Sequence, residues 1–340
     1  GDDYFSSGLS NDLTWLQSRL EERFEIKTQR ISGKSDHEKE GKILNRVVRW
    51  TQRGYEVEAD PRHAELVVKQ LEASSMKAIS TPGVEGKEED DTEEEYQLSG
   101  ESATQYRAIA ARLNYLSTDR PDIQYATKEC CRDMANPTSG SQRRFMRIAR
   151  YLVGKPRLVW RFDMQGYVGV VEAFSDANWA GCRTSRKSTS GGVLMVGSHP
   201  IKSYSKTQAV IAKSGAESEL YGIVRATCEA LGCLTLIEDF GEKLKSRPHM
   251  DANAARGIIE RQGLSKVRHI DVNLLWLQEQ AARDLVPLEK IDSTKNCADL
   301  MTKHVRSELI IRHTEYMNLE FRGGRSDIAA QLQSTNKIIR

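Results

Sequence analysis

Four acidic residues in the second half of the chain carry its best candidate chemistry. In chain order they are Asp176, Glu219, Asp251 and Asp299. Asp176 stands at the end of residues 168–174, an apolar run rich in β-branched and aromatic side chains that predicts a buried strand. A carboxylate at the edge of a buried strand is costly unless it is paired, hydrogen-bonded or bound to a cation.

The elements predicted over residues 157–302 bring these acids toward one edge of a sheet. The pattern runs strand, strand, strand, helix, strand, helix, helix, strand, helix, and this order predicts a mixed sheet with helices packed on it. Glu219 lies near the start of a long amphipathic helix, Asp251 ends a short strand, and Asp299 lies in the first turn of the last helix. Glu217 and Glu219 are two residues apart, so only one can face the sheet, and Glu219 lies beside the apolar stripe.

Carboxylates gathered at one edge repel one another unless cations lie between them. Hard oxygen ligands favour Mg²⁺ or Mn²⁺, and two such ions about 3.5–4 Å apart can activate water and stabilise the leaving oxygen of a phosphodiester. The residues therefore indicate metal-assisted phosphodiester hydrolysis. On spacing alone, the alternative that each acid is a surface or capping residue stays open, and it is favoured for Glu217 and Asp271.

Charge is distributed unevenly along the 340 residues. The chain has 50 Lys and Arg and 48 Asp and Glu, which gives a net charge of +2. Many of the acidic residues are concentrated in the run 85–95, so the rest of the chain is clearly basic. Arg143 and Arg147 belong to a cationic face on a predicted helix, which suits a nucleic-acid backbone as well as it suits a solvated helix face. Asn178 and Lys206, in the sequence around the first two acids, are the other candidate nucleic-acid contacts.

Membrane and secreted classes are disfavoured by the sequence. No apolar run approaches the roughly 18 residues of a membrane span, no signal peptide is visible, and the six cysteines lack zinc-ligand spacing. Reduced thiols indicate an intracellular protein of the cytoplasm or nucleus, with no membrane partner. The chain opens on Gly1 without an initiator Met, so it is expected to be a piece of something longer.

Several stretches, met in the same order, resemble the ribonuclease H domain of Copia-type retrotransposon Pol polyproteins. They are 175–181 (SDANWAG), 186–192 (RKSTSGG), 200–208 (PIKSYSKTQ), 217–219 (ESE), 268–272 (RHIDV) and 296–303 (NCADLMTK). The resemblance extends upstream through 106–152 to the segment that follows the polymerase palm. Asp2 and Asp3 resemble the paired aspartates of the polymerase active site.

The resemblance implies an α/β (α+β) fold: a ribonuclease H-like mixed five-stranded sheet with flanking helices, preceded by a mostly helical partial polymerase palm and thumb segment. It implies that the acids bind two Mg²⁺ (or Mn²⁺) ions and cut the RNA strand of an RNA/DNA hybrid. The acids in this role are Asp176, Glu219, Asp251 and Asp299. The expected organisation is a palm remnant at 1–80, an acidic linker at 81–103, a helical thumb or connection segment at 104–156, the ribonuclease H-like domain at 157–305 and a C-terminal tail at 306–340.

The leading hypothesis is a fragment of such a polyprotein with ribonuclease H-type endonuclease activity, working beside the remaining Pol segments. Polymerisation is not expected of this chain, because Asp2 and Asp3 supply at most two of the three palm carboxylates. The alternative is a catalytically silent or co-opted transposon remnant that binds nucleic acid or protein. The complete acid set argues against that alternative.

Overall fold

The structure, a computed structural model, describes residues 4–85, 95–261, 272–283 and 286–332. Its helices and strands in these ranges are α1 (Ser10–Glu21), β1 (Glu40–Ile43), β2 (Arg46–Thr51), β3 (Gly54–Glu58), α2 (Pro61–Gln70), α3 (Gly100–Leu116), α4 (Pro121–Cys131), α5 (Ser139–Gly154), β4 (Arg157–Asp163), β5 (Val170–Asn178), β6 (Thr189–Val196), β7 (His199–Thr207), α6 (Gly215–Asp239), β8 (Lys245–Met250), α7 (Asn253–Ile259), α8 (Val272–Ala282), β9 (Glu289–Lys290), α9 (Ser307–Tyr316) and β10 (Leu319–Arg322). Short 3₁₀ turns lie at Ala73–Ser75, Arg132–Met134, Ser293–Lys295 and Cys297–Met301.

One five-stranded sheet has the order β7-β6-β5-β8-β9. Strands β5, β6 and β7 form an antiparallel meander, whereas β8 and β9 are added in parallel to β5, so the sheet is mixed. This arrangement confirms the predicted α/β class with a mixed five-stranded sheet. Side chains alternate along β5 as strand geometry requires: Ala173 packs in the cluster that includes α6, while Phe174 packs in the cluster that includes the Cys297–Met301 turn.

A second five-stranded sheet, in the order β1-β2-β3-β4-β10, was not predicted from the sequence. All of its pairings are antiparallel, and Leu319 of β10 lies opposite Trp160 of β4. The boundary expected at residue 157 therefore does not separate the two sheets, since β4 belongs with the strands before it. The expected tail at 306–340 is wrong for 307–322, because α9 and β10 are regular elements.

Ion pairs between its strands, one of them reaching across β4, stabilise this second sheet. Arg157 of β4 reaches Glu58 of β3 at 2.6 Å, and Arg322 of β10 reaches Glu56 of β3 at 2.6 Å. Charged side chains therefore take part in the contacts between these strands. The sequence pattern accordingly gave little sign that the strands belong to one sheet.

The helices α2, α3, α4 and α5, which lie along the chain between β3 and β4, share one apolar core. Helix α4 also lies against the first sheet, where Arg132 next to its end donates to Thr207 Oγ1 at 3.0 Å and Gln124 donates to the carbonyl of Ser203 at 3.4 Å. The helical segment is thus in contact with the sheet that carries the acids.

Among the residues that the structure describes, α6 alone is long and apolar enough to cross a membrane by length and composition. The sequence reading had predicted no such span. In the structure α6 packs on the first sheet through residues such as Ile223, Ala226 and Ala230, and Arg225 and Glu229 lie in its middle. This is the ordinary behaviour of an amphipathic core helix.

Candidate active site

Asp176 lies near the end of β5, the central strand of the first sheet, and is only 5% exposed. Its Oδ2 accepts a hydrogen bond from the hydroxyl of Thr302, which follows the Cys297–Met301 turn. Gly191 of β6, opposite Asp176, permits this approach, because a Cβ there would lie 2.6 Å from side-chain atoms of Met301 and Thr302. The glycine therefore allows the turn to press on the sheet beside the acid.

Glu219 reaches the same place from the first turns of α6. The helix begins at a Ser214 cap, and Glu217 is held at that end because its Oε2 accepts from the backbone N–H of Lys213 at 2.8 Å. Glu219 Oε1 instead accepts from the N–H of Ala177 at 3.3 Å, whereas its Oε2 is buried with no hydrogen-bond partner. Of the two glutamates, the structure brings Glu219 to Asp176.

Asp251 directly follows β8, which is parallel to β5, so both residues lie at the same edge of the sheet. One ligand oxygen from each of Asp176, Glu219 and Asp251 lies within 4.8 Å of the other two. Burial, followed by the charges of Asp176 and Asp251, raises the pKa of Glu219 to about 9. Burial and Asp176 also raise the pKa of Asp251. Burial and the neighbouring carboxylates both disfavour the charged form of each acid, which raises its pKa.

Asp299 lies outside this group of three. It sits in the 3₁₀ turn Cys297–Met301 rather than in an α-helix, and Asn296 ties that turn to the sheet by donating to the carbonyl of Ser175 at 2.8 Å. Burial and the charge of Asp176 raise the pKa of Asp299 to about 7, and Lys303 opposes that rise. Three of the four predicted acids, Asp176, Glu219 and Asp251, therefore lie close together. The fourth, Asp299, is separated from Asp176 by the ammonium of Lys303.

Lys303 and Thr302 are site residues to which the sequence analysis assigned no role. Lys303 Nζ lies 2.9 Å from Asp299 Oδ1 and 3.8 Å from Asp176 Oδ2. The four-residue separation of Asp299 and Lys303 is the one sequence signal that could have indicated their pairing.

The predicted nucleic-acid contacts are spread over different surfaces. Asn178 is half-buried and donates to the carbonyl of Thr302 at 3.2 Å, which places it beside the acids, and Lys206 is exposed on β7. Arg143 and Arg147 lie on α5, where Arg147 donates to Thr81 Oγ1 at 3.0 Å. The nucleic-acid roles of all four stay predictions, and Asp2 and Asp3 lie outside the described residues, as does Asp271.

The donor set fits a divalent cation. Carboxylate oxygens are the ligands that Mg²⁺ and Mn²⁺ prefer, and three are already close together. Glu219 belongs to this cluster. Its Oε2 is buried without a hydrogen-bond partner, whereas a buried acceptor ordinarily has one. Asp176, Glu219 and Asp251 could hold one ion, and Asp176 with Asp299 would supply oxygens for a second.

The mixed sheet thus carries Asp176 and Asp251 at the ends of two neighbouring parallel strands, with Glu219 of α6 beside them. No family model matches the chain. It is 30% identical over 203 residues to the retrovirus-related Pol polyprotein from transposon RE1 of Arabidopsis thaliana, covering 59% of this chain and 14% of that protein. It is 26% identical over 200 residues to the corresponding polyprotein from transposon TNT 1-94 of Nicotiana tabacum, covering 58% of this chain and 15% of that protein.

A solved foamy viral protease-reverse transcriptase in complex with RNA/DNA hybrid also aligns, with a TM-score of 0.49 and 12% identity over 85% of this chain and 34% of that one. The chain is thus similar to Copia-type retrovirus-related Pol polyproteins of transposons. It spans about one seventh of the length of the RE1 polyprotein.

Proposed function

We propose that this chain hydrolyses the RNA strand of RNA/DNA hybrids with two Mg²⁺ (or Mn²⁺) ions. The observation that carries the proposal is the close approach of Asp176, Glu219 and Asp251, with Glu219 Oε2 buried and unpartnered. A divalent ion bound there supplies a Lewis acid that polarises a phosphodiester oxygen and lowers the pKa of water. A nucleic-acid substrate is consistent with the similarity to retrovirus-related Pol polyproteins and with the basic charge outside residues 85–95.

The residues of the chain contribute position and charge. Asp176 is central, because it lies beside the other two clustered acids and faces Asp299. Thr302 fixes the orientation of the Asp176 carboxylate by its hydrogen bond, and the N–H of Ala177 fixes that of Glu219. Preorganised carboxylates need little rearrangement when a cation arrives, which favours catalysis.

Asn178 and Lys206 are proposed to contact the hybrid, as are Arg143 and Arg147 of α5. Polymerisation is not part of the proposal. We propose further that the chain acts inside the cell, with other Pol segments as partners.

A matched pair of variants on α6 tests the function. Glu219→Gln and Glu217→Gln each remove one carboxylate from the same helical turn, but only Glu219 lies in the cluster. We expect parent and Glu217→Gln to cut a labelled RNA/DNA hybrid in Mg²⁺, Glu219→Gln to lose at least about 100-fold in rate, and EDTA to abolish cleavage.

Equal activity of the two variants would contradict the assignment of the site. If no protein cuts but all bind the hybrid, the silent or co-opted remnant is the better account.

A further inference from the structure

The ammonium of Lys303 occupies the space between two of the acids. Its Nζ lies 2.9 Å from Asp299 Oδ1 and 3.8 Å from Asp176 Oδ2. In the described part of the chain, no other Lys or Arg forms an ion pair with Asp176, Glu219, Asp251 or Asp299. Lys303 therefore partly neutralises the negative charge of Asp299 and Asp176, on the side of the site away from the other two acids.

An ammonium and a divalent ion cannot both lie between the same two carboxylates, because their charges repel at contact distance. Lys303 can leave without unfolding the site. It follows the Cys297–Met301 turn, its side chain is 43% exposed, and its flexible stem lets the charged head move into water. The ammonium of Lys303 therefore competes with a divalent ion from solution for the carboxylates of Asp176 and Asp299.

We propose that Lys303 is a positioning residue that acts as a built-in competitor for the ion between Asp176 and Asp299. It compensates the negative charge of the two carboxylates when metal is scarce, and its ammonium must move away when the second ion binds. This inference rests on the proposed function, because it concerns the same metal site. It makes the ion at Asp176 and Asp299 the weaker of the two, with the group of three acids filling first.

The test measures Mn²⁺ binding by the full chain after EDTA treatment, using calorimetry and the electron paramagnetic resonance signal of free Mn²⁺. We expect Lys303→Met to bind the weaker ion about tenfold more tightly than the parent, since one competing charge is gone. Lys303→Arg keeps the charge and should bind like the parent.

Lys202→Met is the matched control, because Lys202 is 50% exposed and pairs with Glu229 on α6, away from the acid cluster. It should also bind like the parent. Thermal unfolding supplies a second measurement. Without metal, Lys303→Met should unfold at a lower temperature than the parent, and Mn²⁺ should raise its Tm by more, because binding free energy adds to stability.

The outcomes separate the inference from the function on which it rests. If the parent binds Mn²⁺ and Lys303→Met binds it no more tightly, Lys303 is not a competitor and the inference fails alone. The same failure follows if Lys202→Met gains as much, since net charge would then explain the effect. If the parent binds no more Mn²⁺ than Asp176→Asn does, the metal site and the proposed function both fail.

Discussion

Glu219 should destabilise the metal-free protein at neutral and alkaline pH. Burial and the neighbouring Asp176 and Asp251 raise its pKa from 4.5 to about 9. The folded chain then keeps a proton on Glu219 that the unfolded chain releases as pH rises above about 4.5. Stability is therefore unaffected by this group below that pH and decreases progressively as pH rises toward about 9.

The size of the effect follows from the same pKa. Each pH unit between 4.5 and the working pH costs about 1.4 kcal/mol, so the ceiling at pH 8 is about 5 kcal/mol. Glu219→Gln removes the ionisation but leaves a buried amide with few partners, which offsets part of the gain. We expect the variant to be more stable than the parent by about 2–3 kcal/mol at pH 8 in EDTA.

The assay is urea denaturation in EDTA at pH 5 and pH 8, with Glu217→Gln as the control. Glu217 accepts a backbone hydrogen bond at the start of α6, so its variant should gain nothing. Mg²⁺ should reduce the advantage of Glu219→Gln, because it stabilises the parent more. A Glu219→Gln protein no more stable than the parent at pH 8, or one with the same gain at pH 5, would refute this reasoning.

Two further substitutions test the packing that holds the site and the helices. Gly191→Ala should cost about 1–3 kcal/mol, because its Cβ would lie 2.6 Å from Met301 and Thr302; a urea midpoint equal to that of the parent would count against this close contact. Arg120→Met should cost about 3–5 kcal/mol, since it leaves the buried Asp122 carboxylate, which Arg120 contacts at 2.6 Å, without its charge partner. A loss in the unfolding free energy below about 1 kcal/mol would show that Asp122 finds compensation elsewhere.

The acids at strand ends could be predicted because local pattern and sheet geometry determine them. Asp176 lies near the end of a buried strand and Asp251 directly follows a strand parallel to it, so the two acids lie at the same end of the sheet. The apolar stripe of α6 selects Glu219 over Glu217. The positions of these acids follow from side-chain alternation in strands and periodicity in helices, so they can be predicted without knowing any contact between distant residues.

The position of Lys303 could not be predicted from the sequence in the same way. It depends on a 3₁₀ turn capped by Asn296 and on the missing side chain of Gly191, which together bring Lys303 to Asp176. The pairing of β4 with β10 was hidden for a similar reason. The residue pattern of a strand does not show which other strand it pairs with. Here β4 (157–163) pairs with β10 (319–322), a short strand that is distant in sequence.

The central claim is that Asp176 and its neighbours form a working metal-dependent ribonuclease site. The most direct test is cleavage of an RNA/DNA hybrid, labelled on either strand, by the parent and by Asp176→Asn in Mg²⁺. The account predicts that the parent cuts only the RNA strand, and that Asp176→Asn binds the hybrid but loses nearly all cleavage. Cleavage by Asp176→Asn at the rate of the parent, or no cleavage by a folded parent that binds the hybrid and Mg²⁺, would contradict it.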